Sequence, residues 1–472
     1  MSDENKNSFD MREEASLLRF DELGQGKNQL TDLTNAELLI REYGDRIRFC
    51  PEWSKWLVWD GCVWKIDSGC RIFELAVACI RGMYVHIKTI QNQEWRQTLE
   101  KHLIKSESLR RFDSMLNLAG RRIAIQIVPK EIDMDGYLLN VKNGTIDLRT
   151  GELHDHLKEN FISKCANVTY EKDARHENWN LFLLRIMDGN GRLIDFLQKA
   201  AGWALTGDMS EQTMFILYGS GANGKSTFLN MIMDIMGEYA MSTPTESFMR
   251  KHSDGISNDI ARLKGTRFVT SVEAEEGKSM SESLIKQVTG QDVLSARFLY
   301  GEFFDFFPTF KIFMATNHMP VIKGNDHGIW RRIKLVPFTV TIPYGERDPN
   351  LMEKLRQEKS GILNWMIEGC IRWQKEGLGT PEEVQTATDE YQEDMDTIAT
   401  FLSECCVRDD KGYLRISSAD LYRGYCAWCV QNSEHPFVQR MFAIHLQHMG
   451  VKKGRDMSTR YWKGIALKVD TK

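Results

Sequence analysis

Apolar positions between residues 214 and 340 repeat in two alternating patterns, which predict parallel strands joined by helices. Short runs dominated by apolar residues are typical of strands buried on both faces. Such runs cover residues 214–218, 267–272 and 310–316. After the first run, apolar residues recur at helical spacing up to Gly237. The predicted fold class is therefore α/β, with a parallel sheet at its centre.

The flanking segments show different patterns. Two pairs, Asp60-Gly61 and Asn143-Gly144, predict two-residue hairpin turns. Trp56, Trp59 and Trp64 surround the first pair, and packing inside a small hairpin module is favoured over stacking on nucleic-acid bases. The predicted organisation is a disordered tail at 1–30, an N-terminal α+β domain at 31–177, an α/β core at 178–345, a helical connector at 346–395 and a C-terminal domain at 396–472.

Charge and composition narrow the function classes. The net charge is −5, so the chain is not a uniformly basic nucleic-acid coat, and any DNA-binding surface has to be local. Residues 440–472 carry eight Lys and Arg against two Asp, and Lys452, Lys453 and Arg455 are candidate DNA-binding residues there. No membrane span is predicted, and the acidic N-terminus lacks signal-peptide features, which predicts a cytoplasmic protein.

A phosphate-binding motif follows the first apolar run. The stretch GSGANGKST satisfies G-x-x-x-x-G-K-[ST] between a predicted strand and a predicted helix. In such a loop, backbone N–H groups surround the phosphates of ATP, Lys225 contacts the β and γ phosphates, and the Ser226 hydroxyl binds Mg²⁺. The candidate ATP-binding residues are Gly219, Ser220, Gly221, Ala222, Asn223, Gly224, Lys225, Ser226 and Thr227.

Polar residues at the ends of the next two predicted strands complete a candidate hydrolytic site. Glu273 and Glu275 follow 267–272, and a carboxylate there can ligand Mg²⁺ and polarise water. Asn317 follows 310–316 and can contact the γ-phosphate or position the water. Arg331 and Arg332 precede a further strand and can stabilise transition-state charge on the nucleotide of a neighbouring subunit.

A candidate DNA-binding hairpin lies between the second and third strands. Lys286 falls in a predicted helix, and Arg297 and Tyr300 fall in a hairpin flanked by phenylalanines. Such a hairpin can project into the channel of a ring and grip a nucleic-acid backbone. A structural hairpin at a subunit contact is the alternative. Asp133 and Asp135 could form a nucleotidyl-transfer pair, but this interpretation is disfavoured because no third carboxylate follows at a suitable spacing.

Taken together, these motifs resemble those of superfamily 3 helicases. The order GSGANGKST, RFVTSVEAEEGK, ARFLYGEFF, PTFKIFMATNHMP and IWRRIKLVPF is most similar to the phage and plasmid primase–helicase branch, which includes a DNA-virus primase–helicase. The segments WDGCVWKID and LLNVKNGTIDLRTGEL resemble the domain that precedes the helicase in that branch, and the C-terminal end resembles its winged-helix domain.

The resemblance implies a P-loop AAA+-like ATPase that uses ATP and Mg²⁺ and translocates 3′ to 5′ as a hexameric ring on single-stranded and forked DNA. It implies Glu273, with Glu275, as the second acidic motif, Asn317 as the sensor, and Arg332 or Arg331 as the arginine finger. Only about 35 residues precede the matched region, so priming is expected from a separate protein. The alternatives are a protein remodeler or loader and a nucleotide-gated DNA-binding initiator.

Overall fold

The computed structural model describes residues 30–88, 90–250, 258–272, 278–298, 301–322, 327–395, 397–409, 413–432, 434, 436–455 and 460–468. The predicted tail, apart from Leu30, lies outside these residues. No helix in the described ranges is both long enough and apolar enough to cross a bilayer. Those ranges also contain no group of three or more His, Cys, Asp or Glu that could hold a metal ion.

The N-terminal part is a layer of helices packed on a small antiparallel sheet. Its elements are α1 (Asp32–Tyr43), β1 (Ile47–Cys50), β2 (Lys55–Trp59), β3 (Trp64–Ile66), α2 (Arg71–Ile87), α3 (Gln93–Ser106) and α4 (Leu109–Gly120). Trp64 is 1% exposed, and its indole N–H donates to the Lys158 carbonyl over 2.7 Å. Trp56 and Trp59 pack against neighbouring apolar clusters. The tryptophans therefore contribute to the core of this module.

Both predicted hairpins form, but their turns differ from the prediction. β2 and β3 are joined by four residues, because Trp59 pairs with Trp64 and the Asp60 carboxylate accepts the N–H groups of Cys62 and Val63. A second antiparallel sheet holds β4 (Leu138–Val141), β5 (Gly144–Asp147) and β6 (Glu152–His154).

The β4–β5 turn is centred one residue before the Asn-Gly pair, since Val141 pairs with Gly144. A Cβ on Gly144 would lie 2.3 Å from the His154 carbonyl oxygen. Glycine is therefore required there by the close approach of β6 and not by the turn itself.

The central layer is a five-stranded parallel sheet in the order β13-β7-β12-β9-β8. The elements of this region are α5 (Glu177–Ile186), α6 (Gly191–Ala204), β7 (Met214–Tyr218), α7 (Lys225–Met236), β8 (Ala240–Ser242), α8 (Asn258–Ala261), β9 (Phe268–Val272), α9 (Glu282–Val288), β10 (Leu294–Arg297), β11 (Phe303–Phe306), β12 (Lys311–Thr316), α10 (His327–Trp330) and β13 (Ile333–Pro337). The parallel core predicted from the apolar runs is confirmed.

Both faces of this sheet are covered, which explains the continuous apolar runs. Phe215 and Leu217 of β7 face one apolar core, and Met214 and Ile216 face the other. The helices of the predicted connector are α11 (Leu351–Gln357), α12 (Lys359–Glu376) and α13 (Glu382–Met395). α12 packs against α6, and Leu139 of β4 lies in the same core. One apolar core therefore joins residues from three of the predicted segments.

Two buried cations fix the amino-terminal edge of the sheet. The Lys311 ammonium donates to the Thr206 carbonyl over 2.6 Å, and the Arg267 guanidinium donates to the carbonyls of Leu205 (2.7 Å) and Leu138 (2.9 Å). Leu205 and Thr206 directly follow α6, so both cations contact the carbonyl end of a helix, where positive charge is favoured. Burial lowers the pKa of Lys311 well below its usual value.

The C-terminal part has its own apolar core around Phe401, Tyr425 and Trp462. Its elements are α14 (Thr397–Cys405), β14 (Cys406–Arg408), β15 (Arg415–Ser417), α15 (Ser418–Gln431), α16 (Gln439–His448), β16 (Lys452–Arg455), β17 (Arg460–Lys463) and β18 (Ile465–Leu467). Ser417 caps α15, because its hydroxyl accepts the Asp420 N–H over 3.0 Å. The basic segment at 440–472 contains the hairpin β16–β17, and β15 adds a third strand to it.

Candidate nucleotide and nucleic-acid sites

The glycine loop, residues 219–224, joins the carboxyl end of β7 to the amino end of α7. Gly221, Ala222 and Gly224 have positive φ angles of 98°, 49° and 86°. A Cβ on Gly224 would lie 2.4 Å from Cγ2 of Ile186. The backbone therefore takes a conformation that only residues without bulk adopt readily, and it turns directly into a helix N-terminus.

The chain that follows β13 holds the glycine loop in place. The Asn223 side chain donates to the Phe338 carbonyl over 3.2 Å, and the Ile342 N–H donates to the Ala222 carbonyl over 2.8 Å. Ser220 and Thr341 hydroxyl oxygens lie 3.5 Å apart. Residues 338–342 are a part of the site that the motif did not reveal. β13 begins 115 residues after the end of β7 and reaches it only by strand pairing.

Lys225 is the first residue of α7 and is 5% exposed. Its ammonium donates to the Gly219 carbonyl (2.7 Å), Asn223 Oδ1 (3.1 Å) and Asn317 Oδ1 (3.3 Å). Burial lowers the pKa of Lys225. All three acceptors are neutral oxygens, and no carboxylate pairs with this ammonium within the described residues. The site therefore holds a buried positive charge with no described counter-ion, an arrangement that an anionic ligand stabilises.

Asn317 reaches Lys225 because of the strand order. β12 lies between β7 and β9, so the residue after β12 lies beside the glycine loop at the carboxyl edge of the sheet. Val272, the last residue of β9, pairs with Ala315 at the same edge. Glu273 and Glu275 lie outside the described residues, and their role as the acidic motif stays a prediction.

The remaining loop residues differ in exposure. Ser220, Ala222 and Ser226 are exposed, whereas Thr227 and Gly221 are half-buried. Ser226 lies in the first turn of α7, where the dipole favours an anion and its hydroxyl oxygen can serve as a hard ligand. The donor set present here therefore fits a nucleotide phosphate with Mg²⁺.

Arg331 and Arg332 lie at the amino-terminal ends of the parallel strands, whereas the glycine loop lies at the carboxyl ends. They precede β13, and both side chains donate to Oε1 of Gln212, just before β7 (3.2 and 3.3 Å). Arg332 also donates to the Gly328 carbonyl over 2.5 Å. A five-residue strand is about 16 Å long, so these guanidinium groups do not reach Lys225 of the same chain.

The predicted DNA-binding hairpin is an antiparallel pair, β10–β11, in which Arg297 pairs with Phe303. Arg297 is exposed, and its guanidinium lies 5.0 Å from the centre of the Phe303 ring. Phe303 is 67% exposed and Phe298 is 46% exposed. Tyr300 lies outside the described residues. Lys286 is half-buried on α9. At the end of the hairpin, the structure places Arg297 together with two exposed phenylalanines.

The paired aspartates of the N-terminal part have structural partners. Asp133 accepts hydrogen bonds from the backbone and hydroxyl of Ser163, and Asp135 forms an ion pair of 2.8 Å with Arg149. These bonds hold the segment between α4 and β4 against its neighbours.

Comparison with known protein families matches two parts of the chain. Residues 36–188 match a family described as D5 N terminal like, and residues 217–332 match a family of unknown function, DUF5906. The first match covers the N-terminal part, and the second begins in β7 and ends at Arg332.

Several viral relatives match the chain over more than half of its length. "Putative helicase L207/L206" of Acanthamoeba polyphaga mimivirus is 30% identical over 326 residues, 64% of this chain and 34% of that protein. "Putative helicase 022R" of Frog virus 3 is 27% identical (55% and 28%), and "Putative primase C962R" of African swine fever virus, isolate Tick/Malawi/Lil 20-1/1983, is 22% identical (67% and 35%). These matches support a relationship to viral primase–helicases, through a D5 N terminal like segment and relatives named putative helicases.

The chain spans about a third of the length of the curated relatives it matches. Its fold is also found in a solved structure described as the A form apo structure of the NrS-1 C-terminal region. The two share a TM-score of 0.53 at 10% identity, with 93% of this chain and 100% of the other covered. The mixed α/β architecture with a parallel core is therefore shared with that protein.

Proposed function

We propose that this protein is an ATP-dependent replicative DNA helicase of superfamily 3, with a P-loop AAA+-like core and a C-terminal winged-helix domain. The observation that carries the proposal is the buried Lys225 ammonium, which only neutral oxygens contact among the described residues. A nucleotide phosphate supplies the missing negative charge, and the glycine loop and the start of α7 supply backbone donors around it. The helicase and primase names of the viral relatives support a role in DNA replication.

Each predicted residue has a role in this proposal. Lys225 holds the β and γ phosphates, and Asn317 exchanges its contact with Lys225 for one with the γ-phosphate or the attacking water. The Ser226 hydroxyl and the Glu273 carboxylate are the protein ligands proposed for Mg²⁺, which when bound neutralises charge on the phosphates. Glu273, with Glu275, orients and polarises the water.

The placement of Arg331 and Arg332 supports action on a neighbouring subunit. Their distance from the Lys225 of their own chain leaves them to contact the nucleotide of a second copy, as an arginine finger does. In a closed ring, every arginine finger faces the nucleotide site of a neighbouring subunit. From the resemblance we propose that this ring is a hexamer that moves 3′ to 5′ on DNA. In such a ring, Arg297 with the exposed Phe298 and Phe303 contacts the single strand through phosphates and base stacking.

ATP hydrolysis by the purified chain, measured with and without single-stranded DNA, tests this function. Lys225→Ala is the blank for contaminating hydrolysis. The proposal predicts turnover that depends on Lys225 and is stimulated by the DNA. Turnover that depends on Lys225 but ignores DNA contradicts the helicase assignment and favours a protein remodeler.

A further inference from the structure

The three-stranded sheet of the C-terminal part has one face on the core and one face in solvent. Ile416 and Trp462 pair across β15 and β17 and lie against the C-terminal apolar core, where Trp462 is 1% exposed. Side chains alternate between faces along a strand, so Arg415 and Lys463, next to those residues, point to the other face. Lys452 pairs with Lys463 and shares that face.

Arg415, Lys463 and Lys452 therefore form one row across three strands, here named the cationic row. Arg415 pairs with Lys463 in β15–β17, and Lys463 pairs with Lys452 in β17–β16. All three side chains are exposed. Neighbouring strands lie about 5 Å apart, so the row places three positive charges within about 10 Å along a rigid line.

Like charges directly opposite each other destabilise a sheet, so a bound anion would stabilise the row. In the described part of the C-terminal domain, none of its three members forms an ion pair with a carboxylate. The nearby Asp420 is already engaged by the Ser417 hydroxyl and by Arg423. Among the described residues, the cationic row is therefore an exposed positive surface without a carboxylate partner.

The chemistry of the row favours a phosphate backbone without exposed bases. Sites for single strands combine basic residues with aromatic surfaces on which bases stack. Tyr461, the aromatic residue of these strands on the outer face, is only 9% exposed, and the Arg415 guanidinium lies 5.1 Å from its ring centre. Within these three strands the outer face has no exposed aromatic ring. Its flat line of cations matches the regular phosphates of a duplex, which dominate its affinity for proteins.

We propose that the outer face of the β15–β17–β16 sheet binds the phosphate backbone of duplex DNA through Arg415, Lys452 and Lys463. The inference deepens the proposed function and rests on it for the choice of DNA as the polyanion. It also separates two residues that the sequence grouped together. Lys453 pairs with Trp462, and its ammonium lies 5.6 Å from that ring, so it belongs to the other face.

The test measures binding of the full chain to a blunt 20-bp duplex without ATP, over a series of salt concentrations. The variant is Arg415→Gln/Lys452→Gln/Lys463→Gln. Each lost phosphate contact removes about 0.9 from the slope of log affinity against log salt. The triple variant should therefore have a slope shallower by about 2.7 and a duplex affinity reduced by about 500-fold at 0.1 M salt.

Two controls separate the row from general charge effects. Lys101→Gln/Lys105→Gln/Lys375→Gln removes the same charge from exposed positions on α3 and α12, and it should keep duplex binding within a few-fold of wild type. Lys453→Gln should change the slope by less than any single member of the row. The midpoint of thermal unfolding of the triple row variant should not fall below that of wild type, because like charges that face each other across the strands are removed.

The outcomes are distinguishable. If the row variant keeps the wild-type duplex affinity and the wild-type slope of log affinity against log salt, the inference is overturned. A protein partner is then favoured for this face. A Lys453→Gln effect as large as that of a row member overturns the assignment of faces. ATP hydrolysis by the wild-type protein and its stimulation by single-stranded DNA report on the proposed function separately. If wild-type protein lacks that stimulation, the proposed function fails while the duplex result still reports on the row.

Discussion

Replacing Asn317 by aspartate places a carboxylate beside the buried Lys225 ammonium without changing the shape of the side chain. The Oδ1–Nζ distance is 3.3 Å. At an effective dielectric constant of about 20, the attraction is about 5 kcal/mol before desolvation, and desolvating the new carboxylate offsets several kcal/mol of it. Asn317→Ala instead removes one acceptor from a charged donor, which costs about 1.5–3 kcal/mol. Asn317→Asp should therefore be more stable than Asn317→Ala without nucleotide.

Nucleotide binding should show the opposite order. In the aspartate variant the Lys225 charge is already neutralised, and the new carboxylate repels the phosphates. A repulsion of about 3 kcal/mol lowers ATP affinity about 100-fold, since each 1.4 kcal/mol is tenfold. Asn317→Ala keeps the free ammonium, so its affinity should fall by about tenfold or less.

Two measurements check the predicted rankings of stability and of ATP affinity. Titration calorimetry with ATP, without DNA, gives the three affinities, and urea unfolding ranks the three stabilities. An Asn317→Asp variant that binds ATP within threefold of wild type would show that Lys225 and Asn317 do not face the phosphates. An Asn317→Asp variant less stable than Asn317→Ala would show that the Lys225 charge is not short of a counter-ion.

Three further predictions concern other parts of the chain. Arg332→Ala should abolish most hydrolysis yet keep ATP binding, and mixing it with Lys225→Ala protein should restore part of the activity; no recovery at any ratio would rule out a finger acting between subunits. Phe303→Ala should weaken binding to single-stranded DNA by about 1–3 kcal/mol, measured by fluorescence anisotropy, while leaving basal hydrolysis unchanged; equal loss of basal hydrolysis would indicate a structural role. Because burial lowers the pKa of Lys311 in the folded state, the unfolded chain binds more protons between the folded and unfolded pKa values. The unfolding free energy should therefore rise with pH through that window by at most about 1.4 kcal/mol per pH unit, and Lys311→Met should flatten the dependence; an unchanged slope in urea unfolding would contradict this.

Local patterns predicted the elements of the site well. The apolar run 214–218, the motif after it and the periodic residues up to Gly237 predicted β7, the glycine loop and α7, and the structure has all three. These features depend on neighbours within about 20 residues. The sheet that holds them was predicted as parallel for the same reason, since the runs are continuous.

The same local patterns did not predict the spatial order of the strands or the contacts between distant segments. The insertion of β12 between β7 and β9 decides that Asn317 contacts Lys225, and strand order leaves no trace in local periodicity. The contacts of residues 338–342 with the glycine loop have the same origin. The turn at Asp60–Val63 was predicted too short, because hydrogen bonds from Cys62 and Val63 to Asp60 favour four residues over two.

Side-chain direction was a second limit. The grouping of Lys452, Lys453 and Arg455 followed from their closeness in sequence, whereas the sheet places Lys452 with Arg415 and Lys463 and turns Lys453 to the other face. A partner strand 37 residues away, β15, decides this arrangement. The exposed Phe303 was visible only as one of several phenylalanines until its pairing with Arg297 was known.

Strand displacement on a forked DNA substrate tests the central claim most directly. The wild-type chain and Lys225→Ala are compared on forks whose single-stranded tail is either 3′ or 5′, with and without ATP and Mg²⁺. The account predicts ATP-dependent unwinding by the wild-type chain on the 3′-tailed fork and none by Lys225→Ala. Failure to unwind either fork, by a protein that binds DNA and hydrolyses ATP, would contradict the assignment as a helicase.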